Sequence, residues 1–203
     1  MIKEQQVLCE GAGLMQISLS DKQISKLLSY LSLILKWNRT YNLSAIRDPI
    51  ESVKKHLLDS LSIIPYLKPG RLLDVGSGAG LPGIVISIML PEIEVSVLDS
   101  VGKKCRFMQV VKTELELENL TIINSRVESF EKNKYYNQIT SRAFAGVNKT
   151  IQLTEHLLAD NGIYLLMKGD YIKEKNIEKL NAIIHPLSVP FIAEKRSVLE
   201  IKI

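Results

Sequence analysis

The segment Leu72-Leu73-Asp74-Val75-Gly76-Ser77-Gly78-Ala79-Gly80-Leu81-Pro82-Gly83 constrains this chain more than any other. A short apolar run enters alternating glycines, and an apolar helical pattern follows from Pro82, which is expected at the first helical position. Glycines in such a turn let the backbone bend sharply and approach a ligand closely. The next β-type run ends at Asp99, where a carboxylate can hold ribose hydroxyls. Gly78, Gly80 and Gly83 alone would be a weak Gly-x-Gly-x-x-Gly pattern. The ordered set Asp74, glycines, helix and Asp99 makes it a nucleotide-type binding turn.

The rest of the chain has two textures. Ser20 and Gln23 form a capping box ahead of Ile24, Leu27, Leu28, Leu31, Ile34 and Leu35, which predicts a helix over 20–37. Asp48, Pro49 and Glu51 start a second helix that Pro65 closes, with Val53, Leu57, Leu61 and Ile64 on one face. From Arg71 onward, strand-like runs (Leu72–Val75, Glu94–Asp99, Leu120–Asn124, Gln138–Arg142, Ile163–Lys168) alternate with helical segments near 82–90, 102–116, 147–159 and 172–181. That rhythm predicts an α/β, doubly wound, mostly parallel sheet. The tail, Ile183–Ile192 and Ser197–Ile203, predicts a closing antiparallel hairpin. The expected organisation is an N-terminal helical extension, 1–68, packed on a Rossmann-like core, 69–203.

Composition narrows the classes. The formal charge of +4 permits nucleic-acid contact without requiring it. Two cysteines, Cys9 and Cys105, and three histidines are scattered without zinc spacing, so no metal is expected. No leader-like or membrane-spanning apolar run occurs, so a cytoplasmic, monomeric protein is expected.

Electrostatics selects the ligand. A dinucleotide would set its pyrophosphate over the turn against Asp74, at a cost of about 1–4 kcal/mol at surface-like dielectric. S-adenosylmethionine carries a cationic amine and a sulfonium, which a carboxylate attracts. A Walker A loop is excluded, because no Gly-Lys-Ser/Thr follows the glycines. Val127 and Glu128, beyond the third strand, could flank an adenine. Ser141-Arg142-Ala143 ends the fourth strand on the ligand side. A methyl-transfer site here lacks the cysteine of pyrimidine C5 chemistry and the Asn/Asp-Pro-Pro-aromatic turn of exocyclic amine chemistry. A ring nitrogen such as guanine N7 loses no proton on attack and needs positioning rather than a general base, so no catalytic residue is assigned. Arg39 and Arg47, near Trp37 and Tyr41, and Lys103, Lys104 and Arg106 are candidate RNA contacts.

Five stretches together resemble a known family: Trp37 to Pro49, His56-Leu57-Leu58-Asp59-Ser60-Leu61, Asp74 to Gly83, Leu98-Asp99-Ser100 with Gly102-Lys103, and Ser141-Arg142-Ala143-Phe144-Ala145. The chain is similar to the ribosomal RNA small-subunit methyltransferase G proteins, also called glucose-inhibited division protein B. The resemblance implies a class I S-adenosylmethionine methyltransferase fold and N7 methylation of one guanine in 16S ribosomal RNA, on the small ribosomal subunit. It further implies cofactor contacts at Gly76, Leu81, the backbone of Val127 and Glu128, and Arg142. Asp74, Gly78, Gly80 and Asp99 join that set from the reading of the loop. Two other functions fit the turn less well: a nicotinamide-dependent oxidoreductase, and a non-catalytic RNA-binding assembly factor.

Overall fold

The computed structural model describes residues 2–131, 135–170 and 180–203. A helix absent from the sequence reading, α1 (Ile2–Leu14), comes first. Helix α2 (Asp21–Tyr41) opens on the expected capping box: the Ser20 hydroxyl accepts from the Gln23 N–H, and the Gln23 side chain accepts from the Ser20 N–H. Such a cap contributes about 1 kcal/mol. The helix outruns its predicted end because Trp37 stacks on Tyr41 at 5.1 Å and on Phe107 at 5.6 Å, until Asn42 turns left-handed at φ 49°. Asn38 then pins the following loop, donating to the Ile46 carbonyl and accepting from the Ser44 N–H.

Helix α3 begins on the predicted cap, with Asp48 accepting from Glu51 N–H, but it is not uniform. An α-turn, Pro49–Ser52, runs into a π-helical stretch, Val53–Leu58, and back into Asp59–Leu61. Widened turns of this kind are uncommon and concentrate at functional sites.

The sheet follows as β1 (Arg71–Val75), α4 (Gly83–Met89), β2 (Glu94–Asp99), α5 (Gly102–Glu114), β3 (Leu120–Asn124), β4 (Tyr136–Arg142), α6 (Val147–Thr154), β5 (Leu158–Lys168), β6 (Ile183–Leu187) and β7 (Arg196–Lys202). Helix α4 starts one residue later than expected, with Pro82 as its cap residue. Most of the expected helix over 172–181 lies outside the described residues. The first tail strand ends at Leu187 rather than Ile192, since Pro190 has no N–H for a ladder and Phe191 is left-handed at φ 65°.

Seven strands line up in the order β3-β2-β1-β4-β5-β7-β6. The first five are mutually parallel, and β7 runs antiparallel to both β5 and β6. The tail hairpin therefore closes one edge. Alternation along β1 feeds two cores: Leu72 joins Leu27, Ile34, Leu57, Ile84 and Phe107 on one face, and Leu73 and Val75 join Ile139, Val147 and Tyr164 on the other. Each such fully buried Leu or Ile contributes about 2 kcal/mol of transfer free energy. The front helices and the sheet share the first of these clusters. Among the described residues no helix is long and apolar enough to cross a membrane, and no group of His, Cys, Asp and Glu gathers for a metal.

Candidate active site

The chain reverses its winding between β1 and β4: α4, after β1, packs on the first core face, and α6, after β4, on the second. Ligands in open α/β sheets bind in the crevice at the carboxyl ends of the strands flanking such a switch point. Two cavities lie there.

The first, about 350 Å³, is lined by Gly76, Leu98, Asp99, Val101, Lys104, Ser125, Val127, Glu128, Ala143 and Phe144 among others. It gathers four of the residues expected from sequence: Gly76, Asp99, Val127 and Glu128. Asp99 organises the loop, with Oδ2 accepting from the Gly78 N–H at 2.9 Å and from Lys104 Nζ at 3.3 Å, and Oδ1 accepting from the Val101 N–H at 2.9 Å. A carboxylate offers about four acceptor sites, so these three bonds leave Asp99 one acceptor site to spare at the cavity.

The loop glycines divide by role. Gly76 and Gly78 take left-handed φ values of 67° and 63°. A Cβ on Gly78 would meet nothing within 4 Å, whereas one on Gly76 would run into the Phe144 ring. Gly78 thus leaves backbone open to a ligand, and Gly76 admits an aromatic lid. A Cβ on Gly80 would strike Ile84, and one on Gly83 would sit 2.5 Å from Val97 and 2.9 Å from Asp74 Oδ2. Those two glycines serve close packing beneath the loop. Leu81 is buried there as well, and neither Gly80 nor Leu81 lines the cavity. From the front helices, the buried Tyr30 hydroxyl donates to the Ala79 carbonyl at 2.7 Å and braces the turn.

Asp74 lies below the loop, wholly buried, and does not line the cavity. Its Oδ2 accepts from the Gly83 N–H at 2.9 Å, while Oδ1 has no partner. Burial pushes its pKa up from 3.8 to about 7, and the nearby Asp99 charge adds to that rise. The Gly83 N–H, Ser77 and Arg142 hold it lower than burial alone would. The sequence reading had this carboxylate facing the ligand as a full charge. In the folded protein it is instead a buried acid whose pKa is raised to about 7, with one oxygen unsatisfied.

The second cavity, about 550 Å³, is lined by Ile46, Lys55, His56, Asp59, Arg142, Ala143, Met167, Lys168, Leu187, Arg196 and Ser197 among others. Arg142 lines this cavity and not the first. Its guanidinium donates to Asp59 Oδ2 at 2.8 Å and to the Lys55 carbonyl at 2.9 Å. His56 bonds the Ser44 hydroxyl through Nε2, and burial, aided by the Arg142 charge, lowers its pKa to about 4, so the ring is neutral. His56 Nδ1 and Ser197 Oγ are buried without partners. Ala143, held left-handed at φ 55°, lines both cavities and is their common wall. A non-glycine residue in that conformation carries strain that clusters at functional sites.

The expected RNA contacts are dispersed. Arg39, Arg47, Lys103 and Arg106 are exposed and line neither cavity, and Arg47 donates to Asn42 Oδ1. Lys104 is paired with Asp99 at the first cavity, which makes it part of that cavity's wall rather than a free surface cation. Sequence reasoning missed Asp59, Lys168 and Arg196 as site residues, whereas Lys55 belongs to the basic stretch between Lys36 and Lys55 that supplied the candidates Arg39 and Arg47. A usable signal was present for one of them: Asp59 is a lone carboxylate inside the apolar run Leu57-Leu58-Asp59-Ser60-Leu61.

A profile of the family described as rRNA small subunit methyltransferase G matches residues 23–199. The ribosomal RNA small subunit methyltransferase G of Ruthia magnifica subsp. Calyptogena magnifica is 58% identical over 193 residues, covering 95% of each chain. That of Pseudomonas fluorescens is 44% identical, covering 95% of this chain and 92% of its own. Among solved structures, an S-adenosylmethionine-dependent methyltransferase from Aquifex aeolicus superposes with a TM-score of 0.61 at 14% identity, over 80% of this chain and 97% of that one, which establishes the fold alone. The switch-point crevice and the match along most of the chain agree: this protein belongs to the rRNA small subunit methyltransferase G family.

Proposed function

We propose that the chain transfers a methyl group from S-adenosylmethionine to N7 of a guanine in 16S ribosomal RNA. The observation that carries the reading is the pair of cavities meeting at Ala143, one built from loop backbone and Asp99, the other from cationic side chains. Only a reaction between a nucleoside-bearing donor and a polyanionic acceptor uses both.

The first cavity fits the cofactor. Asp99 offers its open lone pair to a ribose hydroxyl, Val127 and Glu128 flank the adenine, and Gly76, Gly78, Gly80 and Leu81 shape the turn around the rest. Asp74, buried beneath the turn, favours a cationic ligand through its charge rather than by contact. When bound, S-adenosylmethionine supplies an electrophilic methyl on sulfur.

The second cavity fits an acceptor base with its phosphates. Lys55, Arg142, Lys168 and Arg196 line it together with Asp59, and Lys55 is also paired with Glu194 and Glu51. Both oxygens of Asp59 are engaged, and His56, with a pKa near 4, is a weak base. That inventory supports a nucleophile that needs no deprotonation, as guanine N7 does not. Catalysis then rests on orientation, which in favourable cases supplies about 7–11 kcal/mol.

The test is labelled methyl transfer to small-subunit RNA from cells lacking the protein, with the product mapped by reduction and aniline scission. One N7-methylated guanine is expected. Transfer to another atom, or none, contradicts the proposal.

A further inference from the structure

Among the described residues Asp59 is the only carboxylate lining the second cavity, and its side chain is just 6% exposed. Such a group is costly to bury unless it is fully paired. Here the pairing comes from two distant parts of the chain. Oδ2 accepts from Arg142 Nη1 at 2.8 Å, at the end of β4, and Oδ1 accepts from Arg196 Nε at 2.9 Å, at the start of β7. Each guanidinium is tied a second time to main chain, Arg142 to the Lys55 carbonyl and Arg196 Nη1 to the Lys195 carbonyl. The π-helical stretch, Val53–Leu58, delivers Asp59, whose N–H reaches back to the Lys54 carbonyl. Both arginine side chains remain 22% exposed, with N–H groups in excess of those the carboxylate occupies.

Two guanidiniums on one carboxylate leave a net positive charge. Lys55, itself paired with Glu194 at 3.3 Å, lines the same wall. Planar guanidiniums with free edges bind phosphate oxygens through paired N–H bonds. The geometry points to Asp59 as a positioning residue: it fixes Arg142 and Arg196 as a two-pronged receptor for the phosphate attached to the acceptor nucleotide. Asp59 touches no substrate. It acts by fixing the spacing and direction of the two arginines, and it couples the tail hairpin to the methyl-transfer crevice. This rests on the second cavity holding the acceptor.

The experiment uses the full chain and small-subunit RNA over a series of salt concentrations. Asp59→Asn removes the charge that orients both arginines while keeping the size of the side chain. The expected result is a KM for RNA raised at least ten-fold and a slope of log(kcat/KM) against log[salt] shallower by about one unit, as one or more phosphate contacts are lost. The cofactor dissociation constant should stay within about three-fold, and Asp59→Glu should recover part of the loss. If Asp59→Asn does not fold, Arg196→Gln gives the same readout. A folded variant with an unchanged salt slope overturns the inference, as does a loss of rate that follows the drop in Tm alone. If wild-type protein binds cofactor but methylates no RNA, the functional reading fails instead, so the two failures are distinguishable.

Discussion

The two cavities that meet at Ala143 are built on opposite plans. The first is made from the ends of neighbouring strands and the turns after them: Gly76 of the glycine loop, Asp99 and the start of α5, the turn after β3, and Ala143-Phe144 after β4. The second is made from side chains of α3, β4, β5 and β7, held together by the Arg142–Asp59–Arg196 pairing across sequence separations of 83 and 137 residues. A local backbone site fails at the positions where no side chain is allowed. A dispersed ionic site is damaged by a single change in proportion to how many partners that change leaves unpaired.

The largest effect should fall on the local site. Gly76→Asp puts a Cβ into the Phe144 ring on backbone at φ 67°. It should weaken S-adenosylmethionine binding more than 100-fold by calorimetry, with the far-ultraviolet circular dichroism spectrum retained. Unchanged affinity would show that the first cavity is not the cofactor site.

Next comes Asp74→Asn, expected to weaken cofactor binding by about ten-fold or more through loss of the negative charge beneath the turn. The same substitution should change stability in a pH-dependent way. In the folded protein Asp74 keeps a proton up to about pH 7, whereas the unfolded chain gives it up near 3.8. Stability from this group therefore falls as pH rises from about 4 to 7, and the penalty is complete above that window. The Tm of Asp74→Asn relative to wild type should be most favourable at pH 8 and least at pH 4. A flat difference across that range would refute the raised pKa. Binding of a cationic ligand should also drive proton release near pH 6 to 7, seen as buffer-dependent enthalpy.

Tyr30→Phe tests the brace between the front helices and the loop. Losing the bond to the Ala79 carbonyl leaves that acceptor unsatisfied and should cost about 1–2 kcal/mol in denaturant unfolding. Cofactor affinity should fall only a few-fold. The smallest effect belongs to exposed cations outside both cavities: Lys103→Gln with Arg106→Gln should raise KM for RNA no more than about three-fold. A ten-fold rise would move the RNA-binding centre onto α5.

The same contrast explains what could be read in the sequence. The glycine turn, the strand alternation, the Ser20–Gln23 box and the Asp48 cap are local signals, and each produced the expected element. Helix α1 was illegible because Gly11 and Gly13 lower its intrinsic helicity by about 1 kcal/mol each relative to Ala. Packing overrides that propensity, since a Cβ on Gly11 would collide with Leu58. The depth of Asp74 beneath its loop was also hidden, because one residue's place in the pattern fixes its strand position but not its solvent access. Arg142 was found by its place at a strand end, and its pairing with Asp59 was not. Such pairs depend on how distant elements dock, and no spacing in the chain encodes that directly.

The most direct measurement is competitive calorimetry of the free protein with S-adenosylmethionine and reduced nicotinamide dinucleotide across pH 6 to 8. The account predicts one molecule of the sulfonium compound bound per chain, with affinity rising from pH 6 toward 7 and no heat from the dinucleotide. Binding of the dinucleotide, with none of the sulfonium compound, would contradict it.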